Sequence, residues 1–259
     1  MTAPTVLAAA AHPDDIEFMM AGTLLLLKDA GCHIHIWNLA DGRCGTDTLP
    51  PEKITTIRWQ ETQHSARLAG ATAHPPLFPD IAIFYDACSL AKVAAVLRTI
   101  RPHIILTHCP TDYMEDHQNC ARLITTAAFT RSMPNFPTDP PVPPWHGPVA
   151  LYHAMPHGLR DALRRPVRPH FTIDISTVLE RKKQMLACHT SQKDWLDKTQ
   201  GMDAYLHDME NMARTLAAAT GRFTHAEGWL RHNHLGFAPE DCHPIQQLMP
   251  KEKYAQTTE

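Results

Sequence analysis

Apolar positions along the chain alternate between an unbroken or two-residue period and a helical one. Val6–Ala10 is a continuous apolar run, the pattern of a strand buried on both faces. Ala21–Ala30 is Leu-rich and is stopped by Gly31, which predicts a helix with a glycine just past its end. Over His33–Leu39, Ile34 and Ile36 alternate with His33 and His35, a strand that closes on the turn Asp41-Gly42-Arg43. Pro50 and Pro51 open a long helix to Leu68, followed by Gly70; Ile54, Ile57, Ala66 and Ala69 form its apolar side, leaving Arg58, Glu61 and Arg67 to the surface. A connection marked by Pro75, Pro76 and Pro79 leads to the apolar run Ile81–Tyr85. Then come a helix (Leu90–Ile100), a buried strand (His103–Thr107) and a helix over Asp116–Phe129. Regular elements resume at Val149–His153, with helices expected at Asp174–Cys188 (Ser176 near its cap) and Met202–Thr220, ended by Gly221.

Strands alternating with helices imply an α/β fold: a Rossmann-like, doubly wound, mostly parallel sheet flanked by helices. The 259 residues suit a single domain over 1–259. Seven prolines between Pro134 and Pro148 mark a loop or lid near 133–148, and a polar, proline-marked tail is expected after about residue 240. No internal repeat interrupts this order.

Charge adds mainly exclusions. With 24 basic and 27 acidic side chains, nothing points to nucleic acid or an anionic membrane surface. No apolar run approaches the roughly 20 residues that span a bilayer, and the N-terminus lacks a secretory pattern. Seven cysteines without a CxxC pair argue against a disulfide framework and for a cytoplasmic setting. Eighteen histidines make a metal site more plausible.

Ala11-His12-Pro13-Asp14-Asp15 follows the first strand directly, so a histidine and two carboxylates sit where open α/β sheets bind ligands. His12 with one Asp supplies two of three ligands for a zinc site, and the other carboxylate is a candidate general base. The third ligand is expected far down the chain, at His117. Each residue has a plainer reading. Asp15 is also a suitable N-cap, His117 an ordinary first-turn residue, and Arg58 and Glu61 exposed helix residues. Asp41 shapes its turn, Cys44 and Cys109 suit small packed positions, His232 and His234 suit solvated or subunit-contact positions, and Trp145 and Trp229 suit packing. A nucleotide-binding Rossmann protein is disfavoured: no GxGxxG follows the first strand, and paired aspartates repel a pyrophosphate.

Beyond these motifs, the chain carries Asp41-Gly42-Arg43-Cys44-Gly45, Arg58-Trp59-Gln60-Glu61, Thr107-His108-Cys109-Pro110-Thr111-Asp112, Cys188-His189-Thr190-Ser191-Gln192 and Ala226-Glu227-Gly228. With Asp116-His117, this ordered series resembles the zinc-dependent N-acetylglucosaminyl deacetylase superfamily, the PIG-L or LmbE-like proteins. The resemblance implies Zn2+, or another divalent metal, held by His12, Asp15 and His117, with Asp14 taking a proton from water and Arg58 reaching the substrate. It further implies removal of an N-acetyl or other N-acyl group from an amino sugar or glycoconjugate, in a chain that assembles as a homo-oligomer.

One position departs from the pattern. Relatives mostly read His-Pro-Asp-His where this chain has Met114-Glu115-Asp116-His117, and their first histidine serves the oxyanion or the leaving amine. A thioether does neither. His108, Tyr113, His153, His157 and His189 are the candidate replacements, His189 being preferred because its element belongs to the same resemblance. The alternative is a catalytically weakened, metal-bearing sugar-binding protein.

Overall fold

A computed structural model describes residues 3–192 and 204–257. One sheet of eight strands runs in the order β3-β2-β1-β4-β5-β7-β6-β8. β1 (Thr5–Ala10), β2 (His33–Asn38), β3 (Thr72–His74), β4 (Ile104–Thr107) and β5 (Ala150–Ala154) form its parallel part. β6 (Phe171–Asp174), β7 (Ala226–Arg231) and β8 (Tyr254–Gln256) extend it antiparallel. The expected α/β architecture is therefore observed. β1 lies between β2 and β4, so connections leave it in opposite directions, and a crevice opens beyond the carboxyl ends of β1 and β4.

β1 is buried on both faces, as its unbroken apolar run requires. Val6, Ala8 and Ala10 join one core, and Leu7 and Ala9 the other, because successive side chains alternate across a strand. The first core receives α1 (Asp15–Met19), α2 (Ala21–Asp29) and, past α3 (Pro51–Leu68), α4 (Ala87–Ile100) and α5 (Glu115–Thr130) in the chain, also α6 (Leu179–Leu186) and α7 (Ala204–Ala218). The second core is covered by α4 and α5. α2 is apolar on nearly every side and buried along most of its length, so it is an internal helix rather than an amphipathic one. Gly31, at φ +91°, occupies the left-handed position past its end.

A buried ion pair fixes α2 to the antiparallel part. Glu227 of β7 accepts from Lys182 Nζ at 2.6 Å and from the Gly22 and Thr23 amides at 2.8 and 2.7 Å. The carboxylate thus meets the free N–H groups of a helix start. A side chain at Gly22 would be 2.6 Å from Ile175 Cγ2, so only glycine permits this approach. Trp229 is wholly buried core, and Trp145 packs at the edge of the second core.

Several expectations need correction. Arg58 is buried, not on the surface of α3. Phe171–Asp174 is strand, so the helix expected from 174 begins, after a 3-10 turn at Ser176–Val178, only at Leu179. Residues 202–203 of the helix expected at 202–220 lie outside the described residues. The proline-rich loop is strapped down by Arg98, which donates to the Val142, Thr130 and Met133 carbonyls, and by Arg131, which donates to the Gly147 carbonyl. Residues 133–148 form a loop pinned by these bonds, and none of them lines the cleft described below. The polar segment after 240 carries regular structure: α8 (Pro244–Leu248) precedes β8, which pairs with β6. His232 is hydrogen-bonded to buried His153 at 3.0 Å, not left to solvent.

Replacing Glu227 by alanine strands the Lys182 ammonium in a dry interior, for which a loss of about 3–5 kcal/mol is expected. Urea denaturation of Glu227→Ala checks this; a loss below about 1 kcal/mol would contradict it.

Candidate active site

The chain leaves β1 through Ala11 and His12 and reverses at Asp14, whose φ of 102° is left-handed for a non-glycine residue. This turn aims neighbouring carboxylates at different partners. Asp15 Oδ2 accepts the His12 amide at 2.7 Å and lies 3.5 Å from His12 Nδ1, 3.3 Å from His108 Nε2 and 3.4 Å from His117 Nε2. Asp14 Oδ2 instead accepts from the Tyr205 hydroxyl at 2.7 Å and from Arg58 Nη2 at 3.3 Å. The N-cap position of α1 falls to Asp14, so Asp15, the first residue of that helix, is not the cap that its sequence position also suggested.

His117 reaches this point from the first turn of α5, beyond β4, the strand beside β1. The far nitrogen of each imidazole is held by a carboxylate. Asp116 Oδ2 lies 2.9 Å from His12 Nε2, and Asp112 Oδ1 3.0 Å from His117 Nδ1. Such carboxylate–histidine pairs fix the ring and its tautomer and turn the other nitrogen toward a metal. Sequence reasoning missed both carboxylates, although Asp116 adjoins His117 and Asp112 closes the Thr107–Asp112 motif.

His12, Asp15 and His117 therefore bring three ligand atoms within 4.8 Å of one another. Ligand atoms about 2.0–2.2 Å from a tetrahedral ion stand roughly 3.3–3.6 Å apart. The 3.5 and 3.4 Å spacings from Asp15 fit that geometry. Nitrogen and carboxylate donors without thiolate suit zinc and other borderline divalent ions. A second grouping, His108, Asp112 and His117, is also compact. There His108 Nε2 already accepts the Ala11 amide at 2.9 Å, and His117 Nδ1 is already paired with Asp112.

Electrostatics follow from burial and these pairings. Burial opposes charge on both imidazoles, yet Asp116 and Asp15 carry His12 up to about 9, while Asp15 and Asp112 carry His117 up to about 10. Burial acts against the Asp15 carboxylate too, but His117 and His108 hold it well below the usual range. Burial pushes Asp14 up, against the pull of Arg58.

Above the cluster lies a cleft of about 290 Å³ lined by Phe18, Met19, Arg58, Tyr113, Met114, His157, Gln192, Tyr205 and Asp208, among others. Arg58 also donates to the Pro13 and Gly42 carbonyls. Gly42, at φ +76°, leaves room for it, since a side chain there would lie 2.5 Å from Arg58 Cδ. His157 stands in a 3-10 turn just past β5, its ring edge-on to Phe18 at 5.0 Å and 6.2 Å from Tyr113. His189 does not open into the cleft. It is fully buried, 3.3 Å from Glu17, which accepts from the Ser65 hydroxyl at 2.6 Å. His189, expected as a catalytic group, is thus enclosed behind the cleft, against Glu17 of α1. His108 and His153 are likewise buried behind the cluster, which leaves Tyr113 and His157 as the named candidates that line the cleft beside Met114.

Fold and site together define an α/β protein with a two-histidine, one-carboxylate cluster at the switch point of its sheet. Residues 7–128, a little under half of the chain, match the family described as PIG-L, GlcNAc-PI de-N-acetylase, the family that the motifs resemble. A diacetylchitobiose deacetylase of Thermococcus kodakarensis is 26% identical over 194 residues, 72% of this chain and 69% of that protein. A 4-oxalmesaconate hydratase of Pseudomonas putida is 22% identical over 197 residues, 73% of this chain and 74% of that one. Among solved structures, the N,N'-diacetylchitobiose deacetylase of Pyrococcus horikoshii superposes with a TM-score of 0.75 at 23% identity, over 92% of this chain and 88% of that one. The fold is thus shared by deacetylases of N-acetylated sugars and by a hydratase. Among the described residues, no helix is long and apolar enough to cross a membrane.

The raised imidazole values predict how metal-free protein responds to pH. Each group binds its proton more tightly folded than unfolded, near 6.5. Their stabilising contribution is complete below about pH 6.5 and is lost as pH rises through about 9 for His12 and about 10 for His117. Denaturant midpoints of chelator-treated protein should fall between pH 7 and 10; a flat or rising midpoint would refute the pairing.

Proposed function

We propose that the protein is a metal-dependent hydrolase that removes an N-acetyl, or other N-acyl, group from an amino sugar or its conjugate. The observation that carries this reading is the cluster of His12, Asp15 and His117, each ring backed by a carboxylate, at the floor of an aromatic-lined cleft beside Asp14. His12, Asp15 and His117 would hold the ion. When bound, zinc supplies a Lewis acid for an acyl oxygen and makes water easier to deprotonate.

The other roles fall to the chain itself. Asp14 takes the proton from the attacking water, and burial raises its affinity for that proton, as a general base near neutral pH requires. The Tyr205 hydroxyl and Arg58 keep its carboxylate turned into the cleft. Phe18, Tyr113 and Tyr205 offer faces on which the apolar side of a pyranose can rest. Met114 also lines the cleft but donates nothing. His157, from the neighbouring strand tip, takes the missing histidine's place: burial pushes it down, so at pH 7 it is a neutral N–H donor for the oxyanion or leaving amine.

Release of free amine from N-acetylglucosamine and N,N'-diacetylchitobiose is the direct test. Turnover should vanish on chelation and return with zinc; zinc-loaded protein inert toward all N-acylated amino sugars would refute the assignment. His157→Phe should lower kcat about 100- to 1000-fold with little change in KM. Met114→His should then change the rate less than about tenfold. A large gain from near zero in that variant would favour the weakened sugar-binding alternative. Asp112→Ala should reduce zinc affinity about 10- to 100-fold in a competition titration, whereas unaltered affinity would exclude a ligand role for His117.

A further inference from the structure

Among the described residues, carboxylates outnumber Lys and Arg side chains in the lining of the cleft. Asp14, Asp15, Asp80 and Asp208 line it, whereas among the described residues Arg58 is the one Lys or Arg that does so. Arg58 is already engaged by Asp14 and the Pro13 and Gly42 carbonyls. Asp80 is occupied too, accepting the Gly42 and Cys44 amides at 2.7 and 2.9 Å. Asp14 and Asp15 serve the cluster and its base.

Asp208 has no such task. It stands on α7 three residues beyond Tyr205, so both side chains share the helix face that borders the cleft. It is half-buried, and among the described residues no Lys or Arg forms an ion pair with it. The imidazole that feels its charge is His157, which lines the same cleft. Phe18, Tyr113 and Tyr205 present aromatic rings to this space. A carboxylate beside aromatic faces, without a competing cation, is a receptor for an ammonium group: it supplies a charge-assisted acceptor, and the rings add cation–π attraction. Beside Asp208 the same arrangement disfavours phosphate or carboxylate, because among the described residues no free Lys or Arg lines the cleft to pair with a second anion.

We propose that Asp208 recognises a protonated amine carried by the substrate away from the scissile amide. The cleft therefore selects amine-bearing amino-sugar conjugates over phosphorylated or carboxylated ones. This assignment rests on the deacetylase reading and narrows its substrate class.

The test compares three N-acetylated sugars with zinc-loaded protein at a pH where free amines are protonated. They are N,N'-diacetylchitobiose, its singly deacetylated form, and N-acetylglucosamine 6-phosphate. The amine-bearing sugar should show the highest kcat/KM and the phosphate the lowest. Asp208→Asn should lower the ratio of amine-bearing to neutral substrate about five- to tenfold, and Asp208→Lys should lower it further while raising the phosphate's relative rate. A preference for the phosphate, or a ratio unmoved by both variants, would overturn the proposal. Calorimetric binding of the fully deacetylated disaccharide separates the two readings. If no sugar is turned over, the deacetylase reading fails, while binding weakened about fivefold in Asp208→Asn still supports the ammonium subsite and unchanged binding removes it.

Discussion

The structure depends on one turn, in which Asp14 adopts a left-handed backbone conformation and separates two adjacent carboxylates. Placed side by side in a buried site, they would repel. Turned apart, Asp15 faces His12, His108 and His117 while Asp14 faces Arg58 and Tyr205. A non-glycine residue at such a φ costs about 1–3 kcal/mol and persists only where its surroundings over-determine it. Here they do: β1 is buried on both faces, Asp15 caps the His12 amide, and Arg58 and Tyr205 bind Asp14 from α3 and α7. Strain held in this way at a strand tip is what a preorganised site looks like.

The sheet explains why residues a hundred positions apart meet. β1 and β4 are neighbours, and the segments leaving their carboxyl ends open the crevice where His12 and His117 converge. Asp112 and Asp116, flanking His117 on the β4 side, then brace both imidazoles, so one short segment supplies a ligand together with the support for two. Behind it, Glu17 with His189 and Glu227 with Lys182 anchor α1 and α2, the helices that follow the turn. These ion pairs are buried, paired and distant from solvent, which suits them to holding backbone in place rather than to reacting.

Much of this was legible in the sequence, and what was not has physical reasons. The buried strands β1 and β4 announced themselves as apolar runs, and the His12–Asp15 and His117 motifs stood at their tips. β3, β6 and β8 are three or four residues long and lie toward the sheet's ends, too short to impose a period. Arg58 was read from its helix face as exposed, yet Gly42 and Gly45 open a slot that only the assembled loop reveals. Tyr205 and Asp208 reach the cleft from a helix nearly two hundred residues beyond Asp14, and no local pattern marks them. His189 belonged to a recognisable motif, but motif membership does not say which way a side chain faces. Met114 was read as the departure from the resemblance; that His157 lines the same cleft needed the adjacency of β4 and β5.

The central claim is that a single ion joins His12, Asp15 and His117. Crystals of zinc-loaded protein, measured on both sides of the zinc absorption edge, test it directly. The account predicts one anomalous peak about 2.0–2.2 Å from His12 Nδ1, an Asp15 oxygen and His117 Nε2, with Asp14 outside bonding distance. A peak between His108 and Asp112, or a site at full zinc loading with no peak at all, would contradict it.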